Sequence, residues 1–186
     1  MYANPSAVLF EVMPNSLRTD KIVAVQAGSP ETPWQWVRFV GNLINLTTPI
    51  GLLVALMGRA RIRRGPRGLF IGEGYRLKFP VASAFTIGSV LTTSSSWPEL
   101  LRQNPRLLYH EERHTWQYLW CIGLPFYPAY AVCLVWSMLR TGDRAARNFF
   151  ERKAGLADGG YPDKPVRPIE ENIRAVIGQF RARRTS

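Results

Sequence analysis

Tyr109-His110-Glu111-Glu112-Arg113-His114-Thr115-Trp116-Gln117 holds the pattern H-E-x-x-H, and the two histidines of the chain are both in it. Residues four apart on a helix lie on one face, a turn above each other. Two imidazoles so placed can share one zinc ion, and the glutamate after the first can take a proton from metal-activated water. His110 and His114 are therefore the first candidate metal ligands, and Glu111 the candidate general base. The plain alternative is a helix carrying a His-Glu-Glu-Arg-His run on a solvated face. Leu107 and Leu108 before the motif, and Trp116, Leu119 and Trp120 after it, give this helix an apolar side to bury. Asn104 and Pro105 supply a start signal, which predicts a helix from about Pro105 to about Ile122. Only one face can see a metal, so Glu112 and Arg113 are expected to point away. Gln117 either lines the site or is a surface amide, and the surface role is the expectation.

No histidine remains for a third ligand, so a carboxylate or cysteine must supply it. The best candidate is Glu151, in Asn148-Phe149-Phe150-Glu151-Arg152-Lys153-Ala154. The small residues Ala154 and Ala157 would let its helix pack closely on another. Asp158 either accepts a hydrogen bond from a ligating imidazole or is a helix-end or loop aspartate. Between motif and Glu151 lies an uncharged stretch, Tyr118 to Leu139, long enough to cross a bilayer. A straight span would put Glu151 on the far side from His110. Gly123-Leu124-Pro125-Phe126-Tyr127-Pro128 breaks the stretch instead, which predicts a hairpin with a second helix over 129–139. The outgoing and returning halves are each on the order of 13 to 18 Å at 1.5 Å per residue, so Glu151 can reach the metal.

With these residues in view, the chain resembles the zincin metallopeptidases whose third ligand is glutamate. It is more closely similar to small bacterial zincin-like proteins with H-E-x-x-H-x-x-Q, a glycine, an aromatic-rich apolar segment and N-x-F-E-x-x-A. Here these read as His110 to Gln117, Gly123, and Asn148 to Ala154. The resemblance covers roughly residues 85 to 158. It implies zinc held by His110, His114 and Glu151, with Glu111 as general base. Such enzymes usually supply a tyrosine or histidine to steady the transition state, and Tyr161 and Tyr109 are the candidates left. The fold expected is α+β and zincin-like, a small antiparallel or mixed sheet packed on the H-E-x-x-H helix and an apolar helical hairpin. The organisation expected is an N-terminal segment over 1–68, a metal-binding domain over 69–160, and a linker with an amphipathic helix over 161–186.

Outside that region, 7–12 and 21–25 read as short strands. Thr32-Pro33 reads as a helix start, N-cap then first-turn proline. Phe39 to Met57 is uncharged and long enough to span a bilayer, yet Asn42, Asn45, Thr47, Thr48 and Pro49 are costly in lipid. A buried segment or a membrane-dipping bend fits equally. The arginines of 59–67 then mark the cytoplasmic side of a membrane or an exposed basic loop. Residues 69–71, 75–79 and 85–93 read as strands, and the last could hold an extended peptide by its edge. Ile169, Ile173, Val176, Ile177 and Phe180 form the stripe of a C-terminal helix.

The length of 186 residues and the hydrophobic fraction of 46% exclude a disordered chain. A net charge of +11 suits an anionic phospholipid membrane surface, with a merely solvated basic surface as the plain alternative. It also admits nucleic acid, but no recognition helix or RNA-binding signature is present. Cys121 and Cys133 sit in apolar sequence and are expected to be buried free thiols. No secretory leader is visible, so a cytoplasmic, membrane-associated body is the expectation. The function expected is a zinc-dependent hydrolase, a peptidase acting on a peptide or protein substrate. The alternative is a non-catalytic zincin-fold subunit of a larger membrane complex.

Overall fold

A computed structural model describes residues 27–80, 82–172 and 174. The strands expected at 7–12 and 21–25, and most of the C-terminal helix, lie outside these. The fold is α+β. Among the described residues it has six α-helices, one 3-10 turn and a mixed four-stranded sheet.

Helix α1 (Pro33–Ile44) starts as its sequence predicts. Thr32 is extended, its Oγ1 accepts the Gln35 N–H at 3.2 Å, and Pro33 takes the first turn. Leu46, at φ 67°, ends the run, and α2 (Thr47–Met57) leaves at 70°. Among the described residues no single helix is long and apolar enough to cross a membrane, and only this bent pair together reaches that length. The polar residues that weighed against lipid are internal fastenings. Asn42 is buried and its amide donates to the Thr115 carbonyl at 2.8 Å, while Thr48 Oγ1 accepts the Ser89 N–H at 3.0 Å.

The arginine run is not simply a basic loop. Arg61–Arg64 forms β1, antiparallel to β2 (Phe70–Glu73) with Arg61 opposite Glu73. The single strand expected over 85–93 is a hairpin, β3 (Ala84–Ile87) and β4 (Val90–Thr93), with Ile87 opposite Val90. Gly88, at φ 59°, makes the turn that β-branched composition concealed. No strand forms over 75–79. The Tyr75 hydroxyl donates to the Phe79 carbonyl at 2.9 Å, so the chain curls, and Pro80 ends any ladder. The order is β1-β2-β4-β3, with β2 parallel to β4 and β3 on the edge.

Leu69, Ile71, Leu91, Trp97, Leu101, Leu107 and Leu108 make the core beneath the sheet. They join it to α3 (Trp97–Gln103), a helix the sequence reading lacks, and to the motif helix α4 (Leu107–Trp120). The chain breaks at Cys121 to Pro125 and turns back in α5 (Phe126–Thr141). This helix starts earlier than expected because a proline in the first turn loses no intrahelical bond. Tyr118, Phe126 and Phe150 pack where the turn closes, with the half-buried free thiols Cys121 and Cys133 against them. Asn148 caps α6 (Phe149–Ala154), its side chain accepting the Phe150 N–H at 3.0 Å. Ala154 is buried as close packing requires; Ala157 lies past the helix end and is exposed. The tail begins on the end of α5, where the Asn172 amide donates to the Leu139 carbonyl at 3.0 Å.

Candidate metal centre

Helix α4 puts His110 and His114 one turn apart on its buried face, and the first turn of α6 delivers Glu151 to them. His110 Nε2 and His114 Nε2 are 3.1 Å apart. Glu151 Oε2 is 3.2 Å from the first and 3.7 Å from the second. All three residues are buried, His110 to 2% exposure.

The protons can be followed from the outside inward. Phe150's carbonyl accepts the Gln117 amide Nε2–H at 2.8 Å, which turns Gln117 Oε1 toward His114 Nδ1, also at 2.8 Å. The Gly155 carbonyl faces His110 Nδ1 at 3.0 Å. Neither oxygen has a proton to give, so each Nδ1 carries the hydrogen and each neutral ring leaves its Nε2 lone pair facing inward. Glu151 Oε1 accepts the Tyr130 hydroxyl at 2.5 Å. Its Oε2 is buried without a donor, and the 3.2 Å contact to His110 is an ion pair only if that ring is doubly protonated. Three lone pairs thus converge with no hydrogen between them, an arrangement that a cation satisfies. Their separations suit one ion at about 2 Å from each donor, which in a tetrahedral shell spaces donors by about 3.3 Å. The cluster could hold a metal ion.

The field agrees. Burial works to raise the Glu151 carboxyl, but His110, His114 and Tyr130 outweigh it and hold it well below the usual carboxylate range. Burial opposes charge on His114, yet Glu151 and Glu111 carry its pKa upward. The site attracts positive charge, and a metal ion brings it without protonating a ligand.

Glu111 is buried beside the cluster, and its Oε2 accepts the Thr86 hydroxyl from edge strand β3 at 2.6 Å. The Tyr161 ring lies 5.9 Å from that of His110. Burial first, then Glu151 and Glu111, push its hydroxyl up to about 12, so it stays protonated at neutral pH. The Arg144 guanidinium lies 5.9 Å over that ring and also lines a groove of about 480 Å³ with Tyr75, Leu77 and Phe85. Tyr109 stays outside, exposed, with Arg67 over its ring.

One expectation is corrected and one open alternative is settled. Gln117 is no surface amide, because it orients His114. Asp158 is a loop aspartate that meets no imidazole: it pairs with Arg113 at 2.7 Å and Arg106 at 3.1 Å, and the Gly155 carbonyl accepts the His110 Nδ1–H instead. Glu112 and Arg113 do point away. Glu112 binds Arg38 at 2.6 Å and Arg67 more closely still. Arg38 is fully buried on α1, so a basic residue of 59–67 and a helix of the N-terminal segment both fasten to the motif helix. Tyr130 was missed; it stands in an apolar helix at a position that no local spacing marks.

A ligand held by a poorly fixed ring binds more weakly. Gln117→Leu is expected to lower metal affinity about 10- to 100-fold, read by competition with a chelating dye. Gly159→Ala should act more bluntly, since its Cβ would sit 2.5 Å from His110 Cε1. The variant should bind metal poorly by the same titration.

Compared with protein-family models, with curated proteins and with solved structures, the chain matches none.

Proposed function

We propose that the protein is a zinc-dependent hydrolase, most simply a peptidase, built on a zincin-like arrangement. The observation that carries this reading is the convergence of three unprotonated donors, His110 Nε2, His114 Nε2 and Glu151 Oε2, beside a fourth buried group, Glu111. Two nitrogens and one oxygen are a donor set that zinc takes readily. When bound, zinc supplies Lewis-acid chemistry, polarising a carbonyl and making water acidic near neutral pH. The chain supplies the rest. His110 and His114 are held in one tautomer by Gly155 and Gln117. Glu111, steadied by Thr86, takes the proton from the attacking water and passes it to the leaving amine. Tyr161 keeps its proton and donates a hydrogen bond to the developing oxyanion. An extended peptide would pair along β3, the edge strand, whose Thr86 carbonyl also accepts the Tyr118 hydroxyl at 3.1 Å, and lie toward the groove lined by Phe85 and Arg144.

A second reading has its own support. Gly159 packs on the His110 ring and every donor is buried, and closed sites are the habit of structural metals. On that reading the chain is a non-catalytic zincin-fold subunit of a larger assembly. Peptide cleavage by metal-loaded protein, compared with its Glu111→Gln variant, decides between them. Cleavage that the variant loses supports the enzyme; metal without cleavage of any peptide in a broad library supports the subunit.

A further inference from the structure

Two bends in the fold carry bulky apolar residues where glycine would fit more easily. Leu46, between α1 and α2, has φ 67°, and Ile122, between α4 and α5, has φ 57°. Left-handed backbone crowds any Cβ and is worst for a β-branched residue. Neither side chain gains burial in return: Leu46 is 58% exposed and Ile122 is 80% exposed. The two bends adjoin, since a Cβ on Gly123 would lie 2.9 Å from Asn45. Ile44, Trp120 and Leu124 are exposed beside them, so one pole of the molecule presents large apolar side chains.

The surroundings say what this pole meets. No charge occurs in 39–57 or 118–139, the stretches that lead to and from the bends. Helix α5 has 16 residues and buries only Phe126, Ser137 and Thr141, leaving Val132, Val135 and Trp136 turned outward. Charge resumes as arginine at the far ends: Arg59, Arg61 and Arg64 after α2, and Arg140 in the last turn of α5. A second copy would bring two bodies of net charge +11 face to face. An anionic bilayer complements that charge instead.

We propose that this pole docks on the surface of a bilayer containing anionic phospholipid. The Leu46 and Ile122 tips enter the boundary between headgroups and acyl chains, as interfacial helices do. Trp120 and Trp136 suit the interface, where a ring that is apolar with one polar N–H is favoured. The arginines at the ends of α2 and α5 meet the phosphates. Among the described residues no single helix is long and apolar enough to cross the bilayer, and the bent helices lie on it.

The test is co-flotation of full-length, metal-loaded protein with vesicles of phosphatidylcholine alone, and with phosphatidylglycerol added. The protein is expected to float with the anionic vesicles and much less with the neutral ones. The double variant L46G/I122G should lose about tenfold or more of that partition. Its thermal midpoint should hold or rise, because glycine accepts left-handed backbone. W136Q, on the outer face of α5, should also bind less at an unchanged midpoint. Protein that stays soluble with both vesicles, or floats equally with both, overturns the proposal. So does a double variant that binds as well as wild type, or one that unfolds more easily and so shows the side chains to be packing. A dimer formed without lipid and lost in the double variant assigns the pole to a second copy and also overturns it. Flotation needs no hydrolysis, so it stands or fails separately from the proposed activity.

Discussion

Glu111→Gln is expected to leave the metal content unchanged and to lower peptide hydrolysis about 10²- to 10⁴-fold, the range for loss of a positioned general base. The exchange is nearly isosteric. The glutamine carbonyl can still accept the Thr86 hydroxyl that Glu111 Oε2 accepts at 2.6 Å, so the side chain keeps its place. Glu111 touches neither Nε2 of the donor set, so the ligands stay as they are. What is lost is the basic lone pair. A purely structural glutamate would tolerate this change, with stability and metal content both near wild type and any hydrolysis preserved. The loss of turnover with retained metal is therefore specific to the catalytic role, and is read by comparing initial rates at equal metal loading.

The neighbouring residue gives the largest expected effect on stability. Glu112→Ala should destabilise the fold by about 3–5 kcal/mol, because it leaves a buried charge without its partner. Arg38 is fully buried and its guanidinium donates to Glu112 at 2.6 Å, and Arg67 joins the same carboxylate. For a domain of this size the thermal midpoint should fall by about 6–20 °C. Metal affinity of the folded variant should change little, since Glu112 faces away from the donors. The acid limb of stability should move as well. Burial works to raise the Glu112 carboxyl, and Arg67 then Arg38 outweigh it, so its folded pKa lies below its unfolded one. The stability it gives is complete above the unfolded pKa and is lost as pH falls through the folded value. The wild type should show that loss on acidification and the variant should lack it. Adjacent glutamates on one helix thus separate cleanly, one by rate and the other by stability.

The site was legible because its chemistry is local. Two histidines four apart on an apolar-sided helix can have few purposes, and the hairpin followed from asking how Glu151 could reach them. The prolines at 125 and 128 and the Asn148 cap are short-range signals of the kind a sequence displays. What was missed depends on tertiary contact. Gln117 orients His114 only because α6 brings the Phe150 carbonyl to its amide, and Tyr130 reaches Glu151 only because α5 turns back at the right angle. The arginine run reads as a solvated loop until Glu112 is seen facing Arg67 across 45 residues. Asn42, Thr47 and Thr48 read as polar blemishes in an apolar stretch; Asn42 and Thr48 find partners on α4 and the β3–β4 turn, and Thr47 bonds back to Asn42 and Asn45 at the bend. The 85–93 segment deceived for another reason: one glycine at positive φ turned an extended run into a hairpin. The helix at Trp97–Gln103 is short, and its stripe of buried Trp97 and Leu101 is too brief to show a period.

The central claim is that His110, His114 and Glu151 hold one metal ion, and that this ion is zinc. Metal analysis by plasma mass spectrometry on protein purified without chelator tests it most directly. The account predicts one zinc per chain in the wild type, lost in His110→Ala and in Glu151→Ala while folded protein is still recovered. Wild-type protein without stoichiometric metal, with His110→Ala as stable as wild type, would contradict it.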